Sequence, residues 1–435
     1  MSRAIPILRT LRSIRLKWLL LSLVAIALCL EIVGLAEGFS NSLGHPISGT
    51  YASIPSEFVA TTSLLLPILP YMMLVMIGGA LLYGVMGPNR ANPIDEVRDL
   101  NLQKSHGKIR EYIVLVLAIA VAAFLVWFPR SLQSLPIGGD TLWYMTAVET
   151  INREGLSWAI VYTDKPIFYL TTYGLQQVSG LSVIDFFTIL PVILAVGATA
   201  SVWFFVSSFY REAAGYSALL MATSTSLMRT SIDLYASFFA TSLLFLTFGL
   251  YLRFREVMNA RQRLFLQLML IIILLSYWFV WGLVLVVLLG AEALSERRLR
   301  RIKALLTIAL PSIGVLGLFI VISLIRPPPL YWGLGSSFAL YFGRTTTPIG
   351  SVTYNTASFD LVDVGLLQYN PIVPILAVLG LFFFRPRTFP VRTIYVWSSI
   401  MLVFSLISMT GLHAALLVPL PVLAGLGLKK MLDTR

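Results

Sequence analysis

The stretch RFREVMNARQRLFLQLMLIIILLSYWFVWGLVLVVLLGAEALSERRLRRIK, residues 253–303, decides how the whole chain is laid out. Its apolar centre, 265–294, can cross a hydrocarbon layer of ~30 Å once as a long tilted helix or twice as two short ones. The flanks choose between them. Arg253, Arg255, Arg261 and Arg263 precede the run, and Arg297, Arg298, Arg300, Arg301 and Lys303 follow it. Basic residues gather on the cytoplasmic side of a membrane protein, so both flanks belong on one side and the number of crossings is even. The pattern predicts a short helical hairpin turning near Ser276, Tyr277 and Trp278.

Working outward, further apolar runs lie near 18–36, 58–86, 112–128, 186–206, 214–228, 236–252, 304–325, 371–384, 393–408 and 411–428. With the hairpin counted twice, the expectation is an all-α polytopic membrane protein of about 12 transmembrane helices. Composition agrees: of 435 residues 57% are hydrophobic and 12% charged, and mean hydropathy is +0.85. A soluble enzyme needs roughly a quarter charged residues for its surface, and a disordered chain far fewer aliphatic ones. With both termini in the cytoplasm, only Arg130, Arg153, Lys165, Arg229, Arg326 and Arg344 of the 32 Lys and Arg fall outside. They face Glu37, Glu57, Asp140, Glu149, Glu154, Asp164, Asp185, Asp233, Asp360 and Asp363. The net charge of +12 therefore reports orientation and contact with an anionic inner leaflet. No segment interleaves cations with aromatics for base stacking, so nucleic acid is not an expected partner. Cys29 is the single cysteine, which leaves no intrachain disulfide, zinc cluster or iron–sulfur site. That usage fits a prokaryotic cell membrane.

Residues 1–30 also have the pattern of a signal peptide, with Gly34 and Ala36 as small residues beyond it, and are read as an uncleaved anchor. The expected organisation is an N-terminal two-helix addition with a basic cytoplasmic loop (1–111), a transmembrane core (112–303) and C-terminal transmembrane helices (304–435). Two outer loops, 129–185 and 326–370, are too long for simple turns and are the expected seat of function. In the first, an extended lead-in ends at Gly138 and Gly139. An interfacial helix then runs from Asp140 with Leu142, Met145, Val148 and Ile151 on its apolar face, and Trp143 and Tyr144 near headgroup level. A second short helix starts at Pro166 and ends at Gly180. The later loop opens with Pro327, Pro328 and Pro329, which forbid helix continuation, and has the composition of a mobile lid.

Walker, dinucleotide, GxSxG and HExxH patterns are absent. The informative segment is Gly138-Gly139-Asp140-Thr141-Leu142-Trp143-Tyr144, whose carboxylate and phenol, four apart, share a helical face. Asp140 reads equally as a helix cap, and capping and catalysis are compatible. A second segment, Tyr162-Thr163-Asp164-Lys165-Pro166-Ile167-Phe168-Tyr169, puts a lysine beside free helix-start amides, which suits a phosphate oxygen. The competing reading is a local Asp164–Lys165 pair with Pro166 as the first helical residue. The third, Arg229-Thr230-Ser231-Ile232-Asp233-Leu234-Tyr235, is an outer turn whose Asp233 is a cap or a functional carboxylate.

These segments resemble those of the GT-C superfold of membrane glycosyltransferases, which includes protein O-mannosyltransferases and aminoarabinose transferases. The likeness covers residues 112–300: an Asp with a nearby Tyr in the first long outer loop, a Lys-Pro segment leading a short helix, and an Arg…Asp turn before a phenylalanine-rich span. The resemblance implies that Asp140 acts at the catalytic centre and that Lys165 helps to hold the lipid phosphate. The family often has a pair of acids and a Lys followed by two prolines; here Asp140 stands alone and Ile167 follows Pro166. The WWD signature of oligosaccharyltransferases is missing.

Chemistry supports the same reading. A polyprenyl- or dolichyl-phosphate sugar presents its reacting bond at the membrane surface and needs an apolar groove, cations for phosphate and one base for the acceptor hydroxyl. Phosphate leaves without a second carboxylic acid, unlike the leaving group in glycosidases, and direct displacement inverts the anomeric centre. The expected substrate-binding residues are Tyr144, Lys165, Arg229, Asp233, Arg326 and Arg344, with the acceptor a glycan, lipid or protein. Asp360 and Asp363, three apart, are the acids that would join Asp140 or Asp233 around a divalent ion. Without Asp-x-Asp or a histidine cluster they read better as solvated loop acids. His413 reads as a buried hydrogen-bonding group rather than a metal ligand, Glu31 as a carboxylate pointing toward protein or the outer interface, and Tyr277, Trp278 and Trp281 as an interfacial belt with sugar stacking as the minor alternative. The rival functions are a lipid or solute transporter or flippase, and a non-catalytic lipid-binding subunit. Spans nearly free of charge and two halves that do not resemble each other speak against the first.

Overall fold

The computed structural model describes residues 107–131, 136, 141–224, 227, 230–231, 234–295, 298–325, 348–349, 352–353, 372–407 and 417–433. The two expected N-terminal spans, Cys29, Glu31, Asp360, Asp363 and His413 lie outside the described residues, as do Asp140, Arg229, Asp233, Arg326 and Arg344. In chain order the helices are α1 (Gly107–Ser131), α2 (Thr141–Glu154), α3 (Leu156–Tyr162), α4 (Pro166–Ser179), α5 (Val183–Ser207), α6 (Arg211–Ala222) and α7 (Tyr235–Phe254). They continue with α8 (Ala260–Ser276), α9 (Trp278–Ala293), α10 (Arg298–Ile325), α11 (Ile372–Phe383), α12 (Phe389–Ile407) and α13 (Leu420–Asp433). A two-residue antiparallel ladder pairs Pro348 with Thr353 and Ile349 with Val352 inside the later loop.

Side-chain bonds show that the ten long elements alternate in direction. At one end, here the arginine end, Glu111 near the start of α1 meets Arg211 at the start of α6, and Lys429 near the end of α13 meets Glu212. Arg253 at the end of α7 donates to Ser207 and Ser208 at the end of α5. Arg255, just past α7, pairs with Glu292 at the end of α9, and Arg301 at the start of α10 pairs with Glu256. Tyr251 packs on Phe389 at the start of α12, and Tyr210 on Phe384 just past α11. Both flanks of 265–294 are thus at one end, as their shared basic charge required. The hairpin turns on a single extended residue, Tyr277 (φ −165°, ψ 97°), whose N–H still bonds the Ile273 carbonyl.

Lipid as solvent explains the packing. α1, α5, α7 and α10 are long and apolar enough to cross a membrane, and α9, α11 and α12 are shorter apolar helices. α5 and α7 are central, with Phe205, Phe245 and Phe248 closing around Trp397 of α12. α1 buries only a stripe that includes Ala118, Ala122 and Val126 and leaves Ile113, Val116, Leu117, Phe124 and Trp127 exposed. Such a face is a liability in water and the natural surface of an integral, multi-pass membrane protein. With no hydrophobic drive between helices in lipid, close approach needs small residues. α13 meets α6 and α11 through glycines: a Cβ on Gly425 would overlap Ser217, and one on Gly380 would overlap the Leu423 carbonyl. Gly425→Val is expected to lower the thermal unfolding midpoint in detergent by the 1–3 kcal/mol or more of an overpacked core, while Val at the exposed Leu318 position leaves it unchanged.

Four sequence expectations are corrected. α6 ends at Ala222, not near 228. The first loop holds three helices where two were expected, because Gly155 (φ +88°) breaks the chain between α2 and α3. On α2 the buried face is Thr141, Tyr144, Ala147, Val148 and Ile151, with Leu142 and Trp143 exposed. Tyr144 therefore points into the protein rather than to headgroup level. Tyr277 is likewise buried and is not part of an exposed belt.

Candidate functional site

The end of the bundle opposite the arginines collects the polar and aromatic residues of the first loop. α4 is placed by its punctuation. Pro166 at the first helical position gives up no hydrogen bond, since its missing N–H would have been unpaired there. Gly180 closes the helix in the left-handed conformation at φ 66°. Gln177 Nε2 donates to Asn152 Oδ1 at 2.8 Å and fastens α4 to α2.

Tyr144 is the hub. Its ring stacks on Tyr235 at the start of α7 (centroids 5.3 Å, 28°), meets Phe168 edge-on (5.3 Å, 71°) and lies 5.9 Å from Tyr169. Phe187 of α5 backs Tyr235 at 6.2 Å. The Thr141 and Tyr235 hydroxyls are 2.9 Å apart. The helix i, i+3 spacing explains why Thr141 and Tyr144 reach the same tyrosine.

Lys165 caps α4 without a side-chain cap bond. Its Nζ is 3.6 Å from Asp164 Oδ2 and 5.6 Å from the Tyr277 ring centroid. It thus pairs with its neighbour Asp164 and stands at the start of α4. The structure adds the tip of the α8–α9 hairpin beneath it. A cation held against an aromatic face keeps its charge while giving up part of its water.

Of the residues expected from sequence, Tyr144 and Lys165 are described: Lys165 caps α4, and Phe168 and Tyr169 in the first turn of α4 pack against Tyr144. Thr141, Tyr235 and Arg130 were not expected as site residues, and Tyr277 was expected there only as the minor alternative to an interfacial belt. Tyr235 ended the Arg229–Tyr235 segment, Tyr277 marked the hairpin tip and Arg130 was one of six outer cations, but nothing local linked them. Arg130 is 4% exposed. Its Nη1 donates to Val126 O at 2.7 Å and its Nη2 to Ser231 O. Burial lowers its pKa from the ordinary arginine value, and interaction with Tyr235 opposes that shift. Among the described residues no group of three His, Cys, Asp or Glu is arranged to hold a metal ion.

The described helices alternate in direction, with a helical segment inserted between α1 and α5, in the fold of a polytopic membrane protein. Several solved structures share it, two of them of ArnT. The chain is similar to ArnT, an aminoarabinose transferase, from Cupriavidus metallidurans bound to undecaprenyl phosphate (TM-score 0.54, 16% identity, 75% of this chain and 61% of that one). It is also similar to apo ArnT from Cupriavidus metallidurans (TM-score 0.51, 16% identity, 72% and 59%). At this identity the likeness is one of fold, and the chain spans about six tenths of the ArnT length. No protein-family model matches the sequence, and no characterised protein matches it by sequence.

Proposed function

We propose that this protein is a membrane glycosyltransferase that moves a sugar from a polyprenyl-phosphate donor to an acceptor at the extracytoplasmic face, with the arginine end in the cytoplasm. One observation carries the reading. The fold is shared with a transferase whose structure holds undecaprenyl phosphate, and here Lys165 and a tyrosine-rich wall stand at the same end of the bundle.

In this reading Asp140, bonded directly to Thr141, takes the proton of the acceptor hydroxyl. The freed oxygen attacks the anomeric carbon, the bond from that carbon to the phosphate oxygen breaks, and its electron pair leaves on the polyprenyl phosphate. Attack from the side opposite the phosphate inverts the centre. Lys165, with Arg229, Arg326 or Arg344, meets the charge that grows on the leaving phosphate. Tyr144 and Asp233 complete the substrate side, the phenol as part of an aromatic wall and the carboxylate as a partner for sugar hydroxyls.

The test uses the purified full chain in lipid nanodiscs, radiolabelled polyprenyl-phosphate hexoses and pentoses, and a membrane extract as acceptor source. Label transfer that depends on the protein is the expected result. Saturable lipid binding with no transfer from any donor would replace the reading with a flippase or a lipid-binding subunit. Lys165→Ala is expected to raise KM for the lipid donor about ten- to hundredfold, the worth of a hydrogen bond to a charged group. An unchanged KM removes Lys165 from the phosphate.

A further inference from the structure

Arg130 is the least expected residue at this end. A guanidinium this deeply buried is costly unless its charge or its donors are used. Among the described residues no carboxylate pairs with it, and its Nε has no hydrogen-bond partner. Part of its placement is ordinary: it lies in the last turn of α1, where a cation suits the helix dipole, and bonds the Val126 carbonyl four residues back. That much needs no contact elsewhere in the chain. Its second bond, to the Ser231 carbonyl 101 residues away, does.

Ser231 lies four residues before Tyr235, so the bond fixes the chain just ahead of α7. Tyr235 in turn holds Thr141 through the hydroxyl pair and Tyr144 through the stacked rings. Thr141 is the residue after Asp140. A run of contacts thus leads from the end of α1, through the start of α7, to the first turn of α2. We propose that Arg130 is a positioning residue: it locks α1 to the chain ahead of α7, so that Tyr235 is presented to Thr141 and Tyr144 and the start of α2 is held in register.

Charge adds direction to the lock. An arginine donates and never accepts, so a nearby guanidinium turns the oxygen of the Tyr235 phenol toward itself and the hydroxyl hydrogen away, toward Thr141 Oγ1. Thr141 then receives that hydrogen bond, and its own hydrogen is directed to an acceptor other than Tyr235. The start of α2 acquires a fixed hydroxyl orientation next to residue 140. The lock acts on the proposed transfer without touching either substrate, and in this respect it rests on the reading given under Proposed function.

The test compares Arg130→Met, Arg130→Lys, Tyr235→Phe and the Arg130→Met/Tyr235→Phe double variant with wild type in nanodiscs. A misplaced reacting group costs rate more than affinity. Arg130→Met is therefore expected to lower kcat about 10²-fold with KM for the lipid donor near wild type. Arg130→Lys is expected to recover part of the loss. The double variant should be no slower than the slower single one, because both break the same run of contacts. Hydrogen exchange at the amides of residues 145–151 should quicken in Arg130→Met while α9 and α13 stay as protected as in wild type. Multiplying losses in the double variant, or exchange that rises uniformly with a falling melting temperature, would reduce Arg130 to a packing role and overturn the proposal. If wild type turns over no donor, the glycosyltransfer reading fails, and the exchange pattern still decides whether Arg130 holds α2.

Discussion

Asp140→Asn is expected to leave a protein that folds and binds the lipid donor but transfers sugar about 10²- to 10⁴-fold more slowly, the contribution of one well-placed general base. Asparagine is the informative replacement. It keeps the size and shape of aspartate and can cap a helix equally well, so the contacts of Thr141 and Tyr144 should be kept. What it cannot do is take a proton. Retained lipid affinity with lost turnover therefore separates the base from the cap. Full activity in this variant ends the assignment of Asp140 as the base.

The largest expected effect on stability is at the other end. Glu292 is fully buried near the end of α9. Its Oε1 accepts from Tyr251 Oη at 2.9 Å and Arg255 Nε at 2.7 Å, and its Oε2 accepts from Arg255 Nη2 at 3.0 Å. Arg255 also lies 3.7 Å above the Phe389 ring centroid, and its backbone carbonyl accepts from Arg301. One carboxylate thus joins α7 and α9 and, through Arg255, reaches α10 and α12. Burial pushes the Arg255 guanidinium down, but bonding to Glu292 and the charges of Glu292 and Glu256 outweigh it and hold the pKa above the ordinary arginine value. Glu292→Ala removes the buried partner of that cation and leaves it only the exposed Glu256, 2.7 Å from its Nη1, and should cost about 3–5 kcal/mol, read as a lower unfolding midpoint in detergent. Glu256→Ala, at a carboxylate 66% exposed, should cost no more than about 1 kcal/mol. Replacing both members, in Arg255→Leu/Glu292→Leu, should recover most of the loss, because a buried pair is dear to break and cheap to replace by apolar volume. A Glu292→Ala variant as stable as wild type would show that the other helix contacts alone hold the hairpin.

Much of the layout was legible because charge and hydropathy act locally. Arg253 to Arg263 and Arg297 to Lys303 required that the ends of 265–294 share a side, and Tyr277 turns where the hairpin was expected. Pro166 and Gly180 fixed α4 by backbone chemistry alone. The face of α2 was not legible. Leu142, Met145, Val148 and Ile151 recur at helical spacing, yet the side that packs carries Thr141 and Tyr144 and leaves Leu142 outside. Next to lipid, an exposed face is as apolar as a buried one, so hydrophobic periodicity does not report which side meets protein. The seven-residue α3 is too short to show a period at all, and Gly155 alone did not announce it.

The sequence by itself determined that this chain lives in a membrane and that the two flanks of 265–294 share one end of the bundle. These follow from the partition of each segment between water and lipid and from the side its cations prefer, and neither depends on other segments. Only the tertiary structure decided which side chains meet. Arg130 finds Ser231 across 101 residues, Tyr235 finds Thr141 and Tyr144, and Lys165 comes to rest against Tyr277. Such pairings depend on the shapes of whole helices packed together, a property that no local stretch of sequence carries.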